Sequence, residues 1–396
     1  MKKIFNSLIF KLVLAVTLGL IIGFCSNESV MNVIVTLKYI LGQIIFFTVP
    51  LIIIGFIAPS IAKLKNNASK LLGYAVGLAY ISSVGAATFS AIFGYILIPK
   101  LSIQSTTESL RQLPELIFKL DIPEIMPVMS ALFLSVIIGL AVAWTNADLF
   151  EKLLDQFQGI VLSLVNRIII PILPLFIATT FATLAYEGSI TNHLPVFLKV
   201  IVIVIIGHFI WLALLYAIGG AMSGKNPIEV LKHYGPAYLT AVGSMSSAAT
   251  LPVALSCARK SKVLRKDILD FSIPLCANIH LCGSVLTEVF FVMVVSQILY
   301  GQIPSVSSMV LFIILLGVFA IGAPGVPGGT VMASLGLITS VLEFNETGTA
   351  LILTIFALQD SFGTACNVTG DGALTLMLTG IANKKNINNN EVSENI

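Results

Sequence analysis

Long runs of apolar residues constrain this chain more than any other feature of its sequence. A helix needs about 20 apolar residues to cross the hydrocarbon core of a bilayer. Only 10% of the 396 residues are charged, whereas soluble domains carry about a quarter. A soluble fold is therefore excluded. We predict eight membrane-spanning helices, in the runs 8–23 (extended by its flanks), 33–61, 71–98, 125–144, 160–184, 196–219, 268–299 and 350–378.

The positions of the lysines and arginines predict the orientation. With a cytoplasmic N-terminus, most of them flank the cytoplasmic ends of the predicted spans. We therefore expect a multi-pass protein of the cell inner (plasma) membrane with both termini in the cytoplasm. The first run is interpreted as an uncleaved helix, because no small-residue cleavage site clearly follows it. The five cysteines form no CxxC pair, so neither a disulfide framework nor a cysteine metal site is indicated.

Two further apolar stretches, from Ile228 to Ala258 and from Val306 to Leu342, are interrupted in the middle by Gly, Ser and Pro. Their arms of about 10 to 15 residues are short for a span, so we predict two re-entrant hairpins. This assignment also keeps the basic run 259–266 in the cytoplasm. The alternative is that Gly and Pro merely kink ordinary helices.

The interruptions indicate a binding site. Irregular backbone at membrane depth is tolerated only where it is buried in protein or lines a water-filled cavity. Each predicted hairpin is followed by a long helix, and the two units enter from opposite sides, as inverted repeats do.

A polar stripe marks one face of the last apolar run. Asp360, Thr364, Asn367 and Asp371 are spaced four, three and four residues apart, which places them on one helical face. Carboxylates inside a membrane are functional candidates by default. Arg167 is the only lysine or arginine well inside another apolar run, and it cannot neutralise both aspartates. We expect a metal ion at one carboxylate and a substrate ammonium at the other.

The preceding run adds two ionisable residues, His280 and Glu288, near the same helical face. Glu288 either carries a proton or forms a hydrogen bond with a neighbouring helix, and we favour the hydrogen bond. His280 is either satisfied by backbone carbonyls or takes a proton in the physiological range, and both interpretations stay open.

Three motifs in these regions resemble the dicarboxylate/amino acid:cation symporter family, which has the glutamate-transporter fold. They are SSAATLP at 246–252, GVPG at 325–328 and NVTGD at 367–371. The resemblance covers nearly the whole chain in order and spacing. It implies an all-α membrane protein with eight transmembrane helices plus two re-entrant helical hairpins, arranged as inverted repeats in an elevator-type transporter that forms a homotrimer.

The resemblance also implies a division of the chain. Scaffold helices 1 and 2 fall in residues 1–68, and scaffold helices 4 and 5 in 100–190. The transport domain takes helix 3 in 69–99 and helix 6, hairpin 1, helix 7, hairpin 2 and helix 8 in 191–383. A cytoplasmic tail follows in 384–396.

Roles for individual residues follow from the same resemblance. Asp360 is expected to bind the substrate amino group, and the second hairpin to act as the extracellular gate. A sodium ion, the expected coupling ion, is expected at Asp371, and no other cofactor is expected. The substrate-binding residues are Ser246, Ser247, Val326, Pro327, Gly328, Asp360, Thr364 and Asn367, and the sodium ligands are Asp371, Asn367, Cys276 and Asn278.

The chain departs from the family in its penultimate helix. Where the family has Asn-Met-Asp-Gly-Thr, this chain has His280-Leu-Cys-Gly-Ser, so Cys282 replaces a sodium-binding aspartate. Hard cations prefer oxygen ligands. We therefore expect His280, Cys282 and Glu288 to form an altered ion site or a proton site, with fewer coupled sodium ions. In the third helix, the family's hydroxyl pair matches either Ser82 and Ser83 or Ala86 and Ala87.

The expected substrate is a small neutral amino acid such as serine, threonine or alanine. Family members with acidic substrates carry an arginine three residues after the amino-binding aspartate, and here that position is Gly363. The site residues resemble the serine/threonine branch most. The alternative is an acidic amino acid or C4-dicarboxylate symporter, coupled to sodium or protons, with its basic group elsewhere.

Two other functional classes compete with a transporter. An ion channel would use the hairpins as pore loops and conduct without a fixed substrate stoichiometry. An intramembrane enzyme needs a catalytic constellation, and the sequence has neither HExxH nor GxSxG with partners. We expect no enzyme activity. The expected partners are the amino acid and membrane lipid, with no nucleic acid.

Overall fold

The computed structural model of the chain describes residues 8–62, 70–101, 103, 111–123, 125–188, 190–323 and 327–385. Within these ranges the regular structure is helical and contains no strand. Helices suit the apolar runs because a helix pairs its backbone N–H and C=O groups within the segment, without water. The helices are α1 (Leu8–Cys25), α2 (Glu28–Ala62), α3 (Lys70–Leu97), α4 (Val128–Thr145), α5 (Asp148–Leu164), α6 (Ile170–Glu187), α7 (Ile190–Ser223), α8 (Ile228–Leu231), α9 (Gly235–Ser244), α10 (Ser247–Ala258), α11 (Lys266–Ile279), α12 (Cys282–Tyr300), α13 (Val306–Gly322), α14 (Gly329–Ser340) and α15 (Glu346–Lys384).

Several of these helices are long and apolar enough to span a membrane. By length and composition, six helical stretches among the described residues qualify, the longest being 148–187, where α5 and α6 are joined by a π-helical turn. The apolar helices α1 and α4 have 18 residues each. Every predicted span lies largely in one of these helices or, for 160–184 and 268–299, in two consecutive ones. The number of spans that cross the bilayer stays a prediction.

The first predicted interruption is a break between α9 and α10. Met245 takes a left-handed backbone conformation with a φ of 54°, which ends α9. The Oγ atom of Ser246 accepts a hydrogen bond of 3.2 Å from the N–H of Ala249 and so caps α10. Because the cap starts the second helix at once, the break is shorter than the stretch 243–252 that the sequence suggested. We call α9 and α10 hairpin 1.

The second predicted interruption separates α13 from α14. Helix α13 ends at Gly322 and α14 begins at Gly329. Residues 324–326, which include the predicted substrate-binding residue Val326, lie outside the described residues. We call α13 and α14 hairpin 2.

The prediction of one continuous helix over 268–299 is wrong. Helix α11 ends at Ile279, α12 begins at Cys282, and His280 between them has extended backbone angles, with a φ of −115° and a ψ of 102°. The first amides of α12 have an acceptor outside the helix, because the side-chain oxygen of Asn367 accepts hydrogen bonds from two of them. A helix start is thereby stabilised inside an apolar run.

The helices pack in two groups, which are joined by hairpin 2 and by smaller contacts of α15 with α1 and α6 and of α6 with α7. In one group α1 packs on α6, and α2 packs on α4, α5 and α6. In the other group α15 is central, with α7, α9, α11 and α12 around it, and α12 also packs on α3. Hairpin 2 contacts α3 in the second group and α2 in the first, whereas hairpin 1 packs on α11 and α15. The polar stripe of α15 therefore lies in the interior of the protein.

Candidate functional site

The four residues of the polar stripe are all buried on α15, which runs through them without a break. Asp360 and Asp371 are eleven positions apart, which corresponds to about 16 Å along the helix at about 1.5 Å per residue. The two carboxylates therefore belong to separate clusters. Asp360 and Thr364 form the first cluster with hairpin 2, and Asp371 forms the second with the break between α11 and α12.

Asp360 is held by the tip of hairpin 2. The backbone N–H of Gly328 donates a hydrogen bond of 2.6 Å to Oδ2 of Asp360. Gly328 has a φ of 71°, a left-handed conformation that glycine adopts without strain. The hydroxyl of Thr364 also donates to the Asp360 carboxylate. Pro327, half-buried, precedes Gly328 at this tip.

The tip of hairpin 1 supplies a second helix N-terminus. The Ser246 hydroxyl caps α10, and Ser247, the first residue of that helix, is buried with 3% of its surface exposed. The hydroxyls of Ser244 and Thr250 lie 3.0 Å apart and brace the turn. The unpaired amides and the dipole at a helix N-terminus favour an anionic group. Both hairpin tips thus offer an environment for a carboxylate.

The side chain of Asn367 is engaged in hydrogen bonds with the first residues of α12. Its Oδ1 accepts hydrogen bonds from the N–H groups of Gly283, at 2.7 Å, and Ser284, at 3.2 Å. Its Nδ2 donates to the Ser284 hydroxyl at 2.9 Å. An amide oxygen has two lone pairs and an amide nitrogen two N–H donors, so one N–H remains for a substrate. In this arrangement Oδ1 has no lone pair left for a cation.

Asp371 has a histidine partner from a distant part of the chain, which the sequence did not predict. Nδ1 of His280 lies 2.9 Å from Oδ1 of Asp371, and Nε2 of the same ring lies 2.9 Å from the hydroxyl of Ser82 on α3. His280 and Asp371 are 0% and 1% exposed at their side chains. Of the two third-helix pairs, the one that contains Ser82 thus lies at this cluster.

The other predicted ion-site residues do not all gather at Asp371. Cys282 is buried, and its thiol lies beside His280 and Cys366. Cys276 is also buried. The side chain of Asn278 is exposed and donates to the carbonyl of Pro274 at 2.8 Å, so it does not join the buried cluster at Asp371.

Glu288 and His208 are buried polar residues of the same region. Ser334 of hairpin 2 donates its hydroxyl to Oε1 of Glu288, which confirms the favoured prediction of a hydrogen bond with a neighbouring helix. His208, which sequence reasoning missed, has Nε2 3.0 Å from the carbonyl of Gly283 and 2.9 Å from the hydroxyl of Thr287. The sequence feature that could have identified it is the presence of a histidine inside the apolar run 196–219. Across the described residues, no three histidine, cysteine or carboxylate side chains converge as metal ligands.

Known proteins match much of the chain. A sequence model of the sodium:dicarboxylate symporter family matches residues 8–381. The chain is 32% identical over 177 residues to excitatory amino acid transporter 3 of Mus musculus. The aligned region covers 43% of this chain and 32% of that protein.

Two further relatives carry different substrate names. Neutral amino acid transporter B(0) of Rattus norvegicus is 29% identical over 174 residues, covering 44% of this chain and 31% of that protein. Excitatory amino acid transporter 2 of Mus musculus is 26% identical over 290 residues, covering 69% of this chain and 49% of that protein. The matches span about a third to a half of the length of these curated relatives.

Proposed function

Since the chain belongs to the sodium:dicarboxylate symporter family, we propose that it is a secondary active symporter that takes up a small neutral amino acid together with sodium ions. Serine, threonine and alanine are the substrates we propose. The observation that carries the proposal is the environment of Asp360. This buried carboxylate is bound by a backbone N–H and a hydroxyl, and no lysine or arginine of the described residues pairs with it. It is therefore available to the ammonium group of a substrate.

The carboxylate of the amino acid fits the helix N-termini at the two hairpin tips. Helices α10 and α14 both start at a hairpin tip, and hairpin 1 and hairpin 2 both pack on α15. Their first-turn amides and dipoles offset the negative charge of a carboxylate. The free N–H of Asn367 supplies one further donor. A zwitterion bound in this way is neutralised at both ends.

The presence of glycine at position 363 suits a substrate whose side chain is neutral. A Cβ atom placed on Gly363 would lie 3.4 Å from Cα of Ser284, an ordinary contact, so this face of α15 lies against α12 and offers no charged group. A second carboxylate on the substrate would need a cationic partner. Burying it unpaired would cost several kcal/mol.

An acidic substrate is the second candidate, because two of the relatives above are named excitatory amino acid transporters. It needs a basic group near Asp360. The buried histidines of this region, His208 and His280, already have other partners. A C4-dicarboxylate fits less well, since it would leave Asp360 without an ammonium.

We further propose an elevator mechanism in which residues 1–68 and 100–190 form the scaffold, and residues 69–99 and 191–383 move across the membrane. A Cβ atom placed on Gly322, at the tip of hairpin 2, would lie 3.0 Å from Cα of Ile57. Ile57 belongs to the end of α2 that the charge pattern assigns to the cytoplasm. Contact at this depth, with hairpin 1 packed on α11 and α15, supports an inward-facing state in which hairpin 2 rests on the scaffold. A homotrimer embedded in inner-membrane lipid completes the proposal.

Reconstitution into proteoliposomes tests the function. An inward sodium gradient should drive accumulation of labelled serine, threonine or alanine, and Asp360→Asn should abolish most of it. Conduction without any added amino acid and without coupled uptake would favour a channel instead. Accumulation of none of the three amino acids, under either a sodium or a proton gradient, would contradict the proposal.

A further inference from the structure

We infer that His280 occupies the position of a bound cation at Asp371, so that this carboxylate is satisfied by the chain itself and binds no coupled sodium ion. The inference rests on the proposed sodium symport and concerns the number of sodium ions that move with each substrate. It departs from the sequence prediction in which Asp371 is a sodium ligand.

The first support is the geometry of the imidazole ring. His280 lies in the short break between α11 and α12, where its extended backbone directs the side chain between α3 and α15. Both ring nitrogens have partners at 2.9 Å, Asp371 on one side and Ser82 on the other. The side chain is fully buried. The ring therefore connects α3 and α15 at a point where a carboxylate needs a partner.

The second support is the packing around the ring. A Cβ atom placed on Gly370 would lie 2.9 Å from Cε1 of His280 and 3.2 Å from the sulfur of Cys282, so α15 fits closely against both side chains. The side chains around the ring are unsuitable as sodium ligands. Cys282 presents sulfur, whereas hard cations prefer oxygen, and the Ser82 hydroxyl is already bonded to the ring.

The third support is the free-energy cost of leaving the buried carboxylate of Asp371 without a partner. Removing one partner of a buried hydrogen-bonded pair leaves the other polar group unsatisfied, which costs its full desolvation penalty. In a variant without the imidazole, a sodium ion from solution can enter the vacated space and take up that role. Removal of His280 should therefore create a sodium site rather than merely destroy a contact.

Counting sodium ions in four proteins tests the inference. The ratio of sodium to substrate, measured from reversal potentials in proteoliposomes, should be the same in the wild type and in Asp371→Asn. It should rise by one in His280→Asn and return to the wild-type value in the double variant His280→Asn/Asp371→Asn. A loss of one sodium ion in Asp371→Asn alone would show that Asp371 ligates sodium and would overturn the inference.

A binding measurement covers variants that no longer transport. The melting temperature of the purified protein is recorded in sodium chloride and in choline chloride, since an ion that binds the folded state raises it. His280→Asn, or His280→Gln as a second variant, should show a larger sodium-dependent rise than the wild type, and the double variant should return to the wild-type rise. An equal rise in all of these proteins would contradict the inference.

His208→Asn is the matched control. It also alters a buried histidine beside α12, but the partners of His208 are a carbonyl and a hydroxyl rather than a carboxylate. Its sodium-dependent rise should equal that of the wild type. The melting experiment needs no substrate, so its outcome is independent of whether serine uptake confirms the proposed function.

Discussion

The backbone N–H of Gly328, at the tip of hairpin 2, donates a hydrogen bond of 2.6 Å to Oδ2 of Asp360 on α15. This bond joins the hairpin directly to the carboxylate that we assign to the substrate ammonium. A substrate that binds Asp360 therefore shares this carboxyl group with the tip of hairpin 2. Binding and the position of hairpin 2 are linked through one carboxyl group.

Replacing Asp360 by asparagine separates the charge of this residue from its shape. In Asp360→Asn the amide oxygen can still accept from Gly328, so the hairpin contact persists. The substrate ammonium loses a charge-assisted hydrogen bond, and such bonds contribute about 1.5–3 kcal/mol. We expect the Kd for serine to rise about 10-fold to 100-fold. Titration calorimetry measures it.

Thr364→Val is the control for that variant. It removes the hydroxyl that donates to Asp360 but leaves the carboxylate charge in place. The Kd should rise less than in Asp360→Asn. Wild-type affinity for serine in Asp360→Asn would show that the ammonium binds elsewhere.

Asn367→Ala should destabilise the protein. The substitution leaves the N–H groups of Gly283 and Ser284 without their acceptor at the start of α12. A buried donor without a partner costs about 1–3 kcal/mol. Asn367→Asp, which keeps an acceptor but loses the donor to Ser284, should behave differently: the melting temperature should fall less. If Asn367→Ala kept wild-type stability, the capping role would be wrong.

Gly322→Val should weaken the contact between hairpin 2 and the scaffold. A Cβ atom at this position would approach Cα of Ile57 to 3.0 Å and its Cγ1 to 2.6 Å, so α2 and hairpin 2 must separate. We expect a smaller inward-facing population, measured by distances between spin labels on the scaffold and the transport domain.

Gly243→Ala provides the comparison in hairpin 1. A Cβ atom there would have no neighbour within 4 Å, so the population should not change. Equal populations in Gly322→Val and the wild type would argue against the docking of hairpin 2 on α2.

Gly363→Arg should shift selectivity toward acidic amino acids. Its Cβ atom would make only ordinary contacts with Ser284, so the first atom of a side chain fits at this position. The guanidinium can then pair with a second carboxylate. Gly363→Met, which adds length without charge, is the control. Competition of serine uptake by aspartate should strengthen in the arginine variant alone, and equal competition in both variants would exclude a charge effect.

Local patterns in the sequence predicted much of this arrangement. The apolar runs predicted where the long helices lie, and the Gly, Ser and Pro residues around Met245 and Gly328 predicted the two hairpin breaks. The spacing from Asp360 to Asp371 predicted one buried face, because helical periodicity depends only on neighbouring residues.

Those local patterns could not predict contacts between residues that are far apart in the sequence. The break at His280 depends on Asn367, more than 80 residues further along the chain, which binds the first amides of α12. The pairing of His280 with Asp371 spans 91 residues. A local pattern identifies both residues as buried and polar but does not show that they meet. For the same reason the sequence could not show that the side chain of Asn367 is hydrogen-bonded to the start of α12.

The central claim, that a neutral amino acid binds at Asp360, is tested most directly by competition on the wild-type protein. Uptake of labelled serine into proteoliposomes under an inward sodium gradient is measured against an excess of each unlabelled competitor. Serine, threonine or alanine should inhibit strongly, whereas aspartate, glutamate and succinate should leave uptake nearly unchanged. Strong inhibition by the acidic compounds, with none by threonine or alanine, would contradict the account.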